Sequence, residues 1–228
     1  MERFCRQSNA IGEHNTKKLS EAKVLVFGIG GVGGHVIETL ARCAVGNLTI
    51  VDKDVVSITN VNRQIVADES TIGKSKAQVM KERVCKINPE CKVVALDEFY
   101  CEETANRFDF SEFDYVVDAI DDVRAKVDII EKCAKVGVRI ITSMGTANHL
   151  DPFAFKIDDI YKTDVCPLAK IMRKNLRERG VEKGKVNALY STETPLKPIG
   201  EGLSSVAFCP SVAGILIASK VVKDLCSI

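Results

Sequence analysis

One stretch constrains the fold more than any other. Lys23-Val24-Leu25-Val26-Phe27 is a short apolar, β-rich run, and Gly28-Ile29-Gly30-Gly31-Val32-Gly33 follows it directly. A helical pattern then reaches about Cys43, and a second apolar run, Leu48-Thr49-Ile50-Val51-Asp52, ends on an acid. A G-x-G-x-x-G turn between a buried strand and a helix lets backbone N–H groups approach phosphate oxygens at the helix N-terminus. An acid at the end of the next strand suits the hydroxyls of a ribose. Together these features predict a nucleotide-binding α/β fold, with Gly28, Gly30, Gly31, Gly33 and Asp52 as nucleotide contacts. They do not separate a dinucleotide cofactor from ATP.

The remaining chain keeps the same alternation. Residues 74–87 read as a helix stopped by Asn88-Pro89, 92–96 as a third strand, and 115–121 as a fourth ending on acids. Residues 123–136 read as a helix closed by Gly137, and 139–143 as a fifth strand. The pattern predicts a doubly wound, Rossmann-like, mostly parallel sheet with its ligand at the carboxyl ends of the strands. Short strands near 153–158 and 186–190 read as a small antiparallel extension. A C-terminal helix from about 210 to 225, with Pro210 in its first turn, closes the chain. The expected organisation is an ATP-binding adenylation domain over 1–150 and a C-terminal extension over 151–228, in one compact unit.

Composition narrows the class. A net charge of +1 on 228 residues gives no overall bias toward nucleic acid, so any such bias is local. No apolar run reaches the ~20 residues of a membrane span. The opening Met1-Glu2-Arg3-Phe4 lacks the apolar stretch of a signal peptide. The nine cysteines are odd in number and scattered, which predicts reduced thiols and a cytoplasmic protein. No Cys-x-x-Cys pair occurs, so no structural zinc is expected. His14, His35 and His149 are too dispersed to predict a metal site.

The segment after the second strand separates ATP from a dinucleotide. Asp52-x-Asp54 leads into Asn60, Arg63 and Gln64; Lys76 follows, then Asp118 and Asp121. In this order the chain resembles the enzymes that activate ubiquitin-like proteins and their bacterial relatives, including adenylyltransferases of thiamine and molybdopterin biosynthesis. That family shares a glycine turn, a D-x-D strand end, an N-x-x-R-Q segment, a later Lys and a D-x-x-D pair. The opening Arg3-Phe4-Cys5-Arg6-Gln7 resembles the family's R-[FY]-x-R-Q, which carries an arginine finger. The resemblance implies ATP as the co-substrate, contacted by Asp54, Asn60, Arg63, Gln64 and Lys76, and Mg²⁺ held by Asp121. It also implies a homodimer in which Arg6 reaches the neighbour's nucleotide, with Arg3 competing for that role. The chemistry agrees: a carboxylate attacking the α-phosphate brings anion to anion, so cations such as Arg63 and Lys76 must screen the approach. A single Arg or Lys is better read as a solvated charge; the ordered set reverses that reading.

The second half resembles the tRNA threonylcarbamoyladenosine dehydratases. The supporting residues are Ile87-Asn88-Pro89-Glu90-Cys91, Asp151-Pro152, the stretch from Lys162 to Ala169, and Tyr190-Ser191-Thr192-Glu193. The resemblance implies adenylation of a carboxylate on a modified tRNA adenosine, followed by intramolecular closure with net loss of water. Between Lys170 and Lys185 stand seven Lys and Arg against two Glu, an excess that a nearly neutral chain concentrates here. Leu168, Ile171, Met172 and Leu176 recur at helical spacing, which predicts an amphipathic helix. Its outer face would present Lys170, Arg173, Lys174 and Arg177 to tRNA; a merely solubilising face is the plainer reading. Cys166, before Pro167 at that helix start, reads as a packed thiol, although some relatives form thioesters in this region. Two alternatives remain. One is an adenylyltransferase acting on the C-terminus of a ubiquitin-like sulfur carrier, which admits a sulfur-relay protein as partner. The other is a non-catalytic nucleotide-binding module that senses redox state.

Overall fold

The computed structural model describes residues 2–197, 199–200 and 202–228; Met1, Pro198 and Glu201, the first of them part of the opening tetrapeptide read above, lie outside the described residues. Seven strands form one sheet: β1 (Lys23–Phe27), β2 (Asn47–Val51), β3 (Lys92–Leu96), β4 (Tyr115–Asp118), β5 (Arg139–Ser143), β6 (Phe155–Asp159) and β7 (Val186–Ser191), in the order β3-β2-β1-β4-β5-β7-β6. All pairs are parallel except β6 with β7. The expected fold class is therefore observed. The antiparallel extension is narrower than expected, because β7 pairs in parallel with β5 and only β6 runs against it.

Strand alternation places residues on two faces. Val24 and Val26 point into a core shared with helices α2 (Glu13–Glu21), α3 (Gly33–Arg42), α4 (Lys76–Ile87) and α7 (Phe208–Cys226). Leu25 and Phe27 point into the other core, with α5 (Val123–Val136) and α6 (Pro167–Glu178). In that second core Phe27 packs edge-on against Tyr100 and Phe108, at centroid distances of 5.0 and 5.1 Å. The central strands β1, β4 and β5 are buried on both sides almost throughout, which is why they read as continuous apolar runs, whereas β3 at the sheet edge has no buried residue. Helix α5 starts on the Asp122 side chain, which accepts from the Ala125 N–H, and ends on Gly137 at φ 76. Left-handed backbone at a helix end favours glycine.

Residues 5–21 hold two helices that pattern reading missed, α1 (Cys5–Ile11) and α2. Helix α1 buries none of its residues, so it has no apolar stripe to announce it. No helix among the described residues is long and apolar enough to cross a membrane.

The chain winds from β1 outward to β3, then returns to place β4 on the other side of β1. That reversal opens a crevice at the carboxyl ends of β1 and β4.

Candidate active site

A cleft of about 1100 Å³ occupies this crevice. Its floor is the glycine turn. At Gly28, φ is 88, and an added Cβ would come 2.6 Å from the Ala119 carbonyl oxygen. A Cβ at Gly33 would meet the Gly28 carbonyl at 1.8 Å, so this glycine lets α3 pack onto β1. Gly30 differs: it lines the cleft, and an added Cβ would meet nothing within 4 Å. The turn is thus tight at Gly28 and Gly33, and at Gly31, where an added Cβ would come 2.9 Å from Pro210 Cβ; Gly30 is its open point, which admits a phosphate to the backbone.

Asp52 follows β2 beside this turn. Its carboxylate accepts from the Ile29 N–H at 2.6 Å and the Asp54 N–H at 2.8 Å. Burial pushes its carboxyl above the ordinary range, against the lowering pull of those N–H groups and of Lys76. Asp54 receives the Lys76 ammonium at 2.9 Å. The Lys76 side chain is only 6% exposed, so its charge is held at the cleft wall. Ser57 and Asn60 form a capping box: Asn60 Oδ1 accepts from the Ser57 N–H at 2.9 Å. This fixes the short turn from which Arg63 projects, its guanidinium donating to the Thr59 carbonyl at 2.8 Å and to Asn62 Oδ1 at 2.9 Å. Gln64 is buried, and its Oε1 has no hydrogen-bond partner among the described residues.

The acids after β4 have opposite surroundings. Asp118 is fully buried, paired with a fully buried Lys126 at 2.9 Å and accepting from Thr142 Oγ1 at 2.6 Å. Its other oxygen accepts from the Ile120 N–H at 3.3 Å. Asp118 is thus a bracket for the loop that carries Asp121. Asp121 is exposed and lines the cleft. Lys126 and Thr142 were not foreseen; the only signal was a lysine eight residues after the acid, on the inner face of α5.

The far wall comes from residues 143–147 and 203–205, with Pro210 of α7 and Leu168 of α6. None of these was anticipated. Asn148, in left-handed backbone at φ 61, joins the two segments. Its N–H donates to the Ser204 carbonyl at 2.8 Å, and its Oδ1 accepts from the Ser204 N–H at 2.9 Å and hydroxyl at 2.8 Å. Asn62 Nδ2 donates to the Ser205 carbonyl at 3.0 Å, tying the same segment to the opposite wall.

Two groups of foreseen residues lie outside the cleft. Arg6 is exposed on α1 and does not line it. Arg3 is engaged in its own chain, donating to the Ile87 carbonyl at 2.7 Å at the end of α4. On α6, Ala169, Met172 and Leu176 face the core, but Ile171 is 49% exposed and leaves the expected apolar stripe. Lys170, Lys174 and Arg177 are exposed. Arg173 is not on that free face: it is half-buried and donates to the Thr163 carbonyl at 2.8 Å, which ties α6 to the preceding turn. Arg177 lies 5.3 Å from the Tyr161 ring centre. Cys166 is buried at the start of α6. Among the described residues no group of three His, Cys, Asp or Glu gathers to hold a metal.

The model of the ThiF family matches residues 4–228. A tRNA threonylcarbamoyladenosine dehydratase of Bacillus subtilis is 43% identical over 242 residues, covering 99% of this chain and 95% of that protein. Crystal structures of the E. coli tRNA N6-threonylcarbamoyladenosine dehydratase with ATP and with AMP each superpose with a TM-score of 0.94 at 34% identity, covering 99% of this chain and 94% of that one.

Proposed function

The chain belongs to the ThiF family, and from that premise we propose that it is an ATP-dependent tRNA threonylcarbamoyladenosine dehydratase. The carrying observation is the cleft itself, which gathers Asp54, Asn60, Arg63, Gln64, Lys76 and Asp121 around one open glycine turn. In this reading ATP lies with its phosphates on Gly28–Gly33 and its ribose against Asp52. Gly30 leaves the room, and the partnerless Gln64 Oε1 is an acceptor with no donor of its own.

The substrate carboxylate attacks the α-phosphorus, and pyrophosphate leaves. Arg63 and the Lys76 ammonium screen the approach of two anions and the charge that builds on the leaving group. Lys76 is held in readiness by Asp54, and its burial limits the freedom lost on engaging phosphate. Mg²⁺ fits here, because it takes one or two carboxylates and completes its shell with phosphates and water. Asp121 is the exposed carboxylate available to it, whereas Asp118 is taken up by Lys126. Bound there, the ion would neutralise charge on the departing pyrophosphate. The activated carbonyl is then attacked from within the same modified nucleoside, which expels AMP. Intramolecular attack has a high effective concentration, so no enzymatic nucleophile is required, in keeping with a buried Cys166.

The same reading divides the chain into a nucleotide-binding part, 1–150, and a part, 151–228, that meets RNA. Helix α6 begins at the cleft mouth with Leu168 and carries exposed Lys170, Lys174 and Arg177 outward, which suits a tRNA backbone. Arg6 acts from a second subunit: it is exposed and away from its own cleft, while Arg3 is spent on Ile87. The protein works as a homodimer in the cytoplasm, where tRNA is found. The test is to incubate it with ATP, Mg²⁺ and tRNA bearing threonylcarbamoyladenosine and to weigh the released nucleosides. Loss of one water with AMP formation is expected. No mass change, together with pyrophosphate exchange that depends on a Gly-Gly-ended carrier protein, would move the sulfur-carrier reading ahead.

A further inference from the structure

The far wall of the cleft holds a leucine in an unusual setting. Leu203 lines the cleft, yet it is 83% exposed, so its side chain stands at the rim. An exposed leucine alone needs no explanation. This one stands next to pinned backbone. Ser204, the following residue, donates its N–H and hydroxyl to Asn148 Oδ1 at 2.9 and 2.8 Å, and its carbonyl accepts from the Asn148 N–H at 2.8 Å. The Ser205 carbonyl accepts from Asn62 Nδ2 at 3.0 Å. An apolar side chain is thus offered to solvent from a fixed place, its backbone already ordered before a ligand arrives.

Charge and size decide what meets it. Leu168, in the first turn of α6, lines the same wall, and α6 carries exposed Lys170, Lys174 and Arg177 away from it. Those cations suit a phosphate backbone, which would then run past the rim that holds Leu203. The carboxylate to be activated must reach the glycine turn inside the cleft. A base stacked within an RNA strand cannot carry it there, and enzymes that act on a base take it out of the stack. The cleft, at about 1100 Å³, exceeds the roughly 300–1,000 Å³ of a pocket for one small molecule, so it has room for a nucleoside beside ATP. A base that leaves its stack opens a gap, and an apolar side chain such as leucine can fill it as a wedge.

We infer that Leu203 is that wedge: it enters the base stack of the tRNA in place of the modified adenosine, which turns into the cleft. The inference rests on the dehydratase reading above and adds to it the residue that replaces lost stacking in the RNA with contact to protein. Exposure is what this role demands. A residue that only walled the pocket would be covered by its own surroundings, as Met144 is at 2% exposure. A wedge must project beyond the wall, and it gains its burial only when RNA is bound.

The test uses the intact protein, ATP and an RNA hairpin that carries threonylcarbamoyladenosine in its loop with 2-aminopurine as the neighbouring base. This base is dim when stacked and brightens when its neighbour leaves. Saturating wild-type protein should raise the emission. Leu203→Ala should bind the hairpin with most of that rise gone, whereas Leu203→Met, apolar and of similar size, should keep it. For water loss from the hairpin, kcat/KM should fall about 10–100-fold in Leu203→Ala, the range for burying one leucine. A trinucleotide bearing the same nucleoside has little stacking to break, so there the fall should stay within a few-fold. ATP affinity should not change in either variant, and both should fold, because the side chain is exposed. A rise that Leu203→Ala retains, or an equal loss of rate on hairpin and trinucleotide, overturns the wedge and leaves the dehydratase reading standing. So does a wild type that binds the hairpin and removes water with no rise in emission. Wild type that binds ATP but neither binds the hairpin nor removes water from it overturns the dehydratase reading and this inference with it.

Discussion

The two walls of the cleft are made differently. The wall from Gly28 to Lys76 and Asp118 to Asp121 grows out of strand ends, and its side chains are tied to neighbouring elements: Asp52 to the Ile29 N–H, Asp54 to Lys76, Asp118 to Lys126 and Thr142. The other wall sets residues 143–147, which continue from the end of β5, against the segment 203–205, which belongs to no strand or helix, and polar contacts of Asn148 and Asn62 fasten that outer segment. Leu203 in that segment is 83% exposed, so little apolar burial anchors it. The difference is between a preformed surface, fit for a nucleotide, and a fastened flap, fit for something that must enter and leave.

The largest expected effect tests the bracket behind the first wall. Lys126→Met removes one charge of a fully buried pair and leaves Asp118 unmatched. Breaking such a pair costs about 3–5 kcal/mol. A chemical denaturation curve should show that loss, and the double variant with Asp118→Asn should recover much of it. Unchanged stability in the single variant would mean that water reaches the pair, and the first wall would lose its rigidity.

Asp121→Ala should do the opposite. The residue is exposed, so the denaturation midpoint should stay within the ordinary range for a surface change. The rate of AMP formation should fall by about 10²–10³, the typical cost of one group at a charged transition state. Mixing Asp121→Ala chains with Arg6→Ala chains should restore part of the activity, because one site of a mixed dimer holds both missing groups. Failure to complement after subunit exchange places Arg6 outside the neighbour's site. Full activity in Asp121→Ala removes that carboxylate from the chemistry.

These contrasts show what a single chain makes legible. The strands at 23–27 and 139–143 and the helix at 123–136 could be bounded from pattern, because a buried strand and a one-sided helix write their burial into local composition; the strand at 92–96 could be bounded too, although none of its residues is buried. The glycine turn and Asp52 could be listed for this cleft from local spacing, and Asn60, Arg63, Gln64 and Lys76 from the family resemblance. Asp118 and Asp121 looked alike in sequence, yet one is sealed and the other open. What separates them is Lys126 and Thr142, brought in by α5 and β5. Spacing along the chain carries no record of that meeting. Asn148 escaped notice for a related reason: it gains its role from Ser204, which only the fold brings near. Ile171 and α1 mark the limits of periodicity, the first an apolar residue facing out and the second a helix with no buried side.

A smaller effect tests the flap. Asn148→Ala removes the two bonds that Oδ1 accepts from Ser204 and puts a Cβ residue less tolerant of left-handed backbone at φ 61. The local cost should be about 1–2 kcal/mol. Native-state hydrogen exchange at residues 203–205 should quicken by roughly 5–30-fold, since a tenfold change corresponds to 1.4 kcal/mol. Exchange at the glycine turn should not move. Equal quickening in both places would show that the two walls open as one unit.

The smallest effect concerns a cost carried by the first wall and absent from the second. Burial raises the Asp52 carboxyl above its value in an unfolded chain. At neutral pH the folded protein therefore holds a buried charge it would rather neutralise, and Asp52 lowers stability. As pH falls through the raised folded value, the folded state takes the proton first and this penalty disappears. The sign is opposite to that of a salt-bridged carboxylate, whose contribution is lost in acid. Asp52→Asn has no such titration, so subtracting its stability from that of wild type cancels most of the acid response of the other carboxylates. The difference should rise in favour of wild type between neutral pH and about pH 4, the ordinary aspartate range. A difference that falls instead would mean that Lys76 and the Ile29 and Asp54 N–H groups outweigh burial. The first wall would then be relaxed when empty, and ribose hydroxyls would find no uncompensated charge to bind. Asn148→Ala should show no such pH dependence, because the flap contributes no buried carboxylate to the cleft among the described residues.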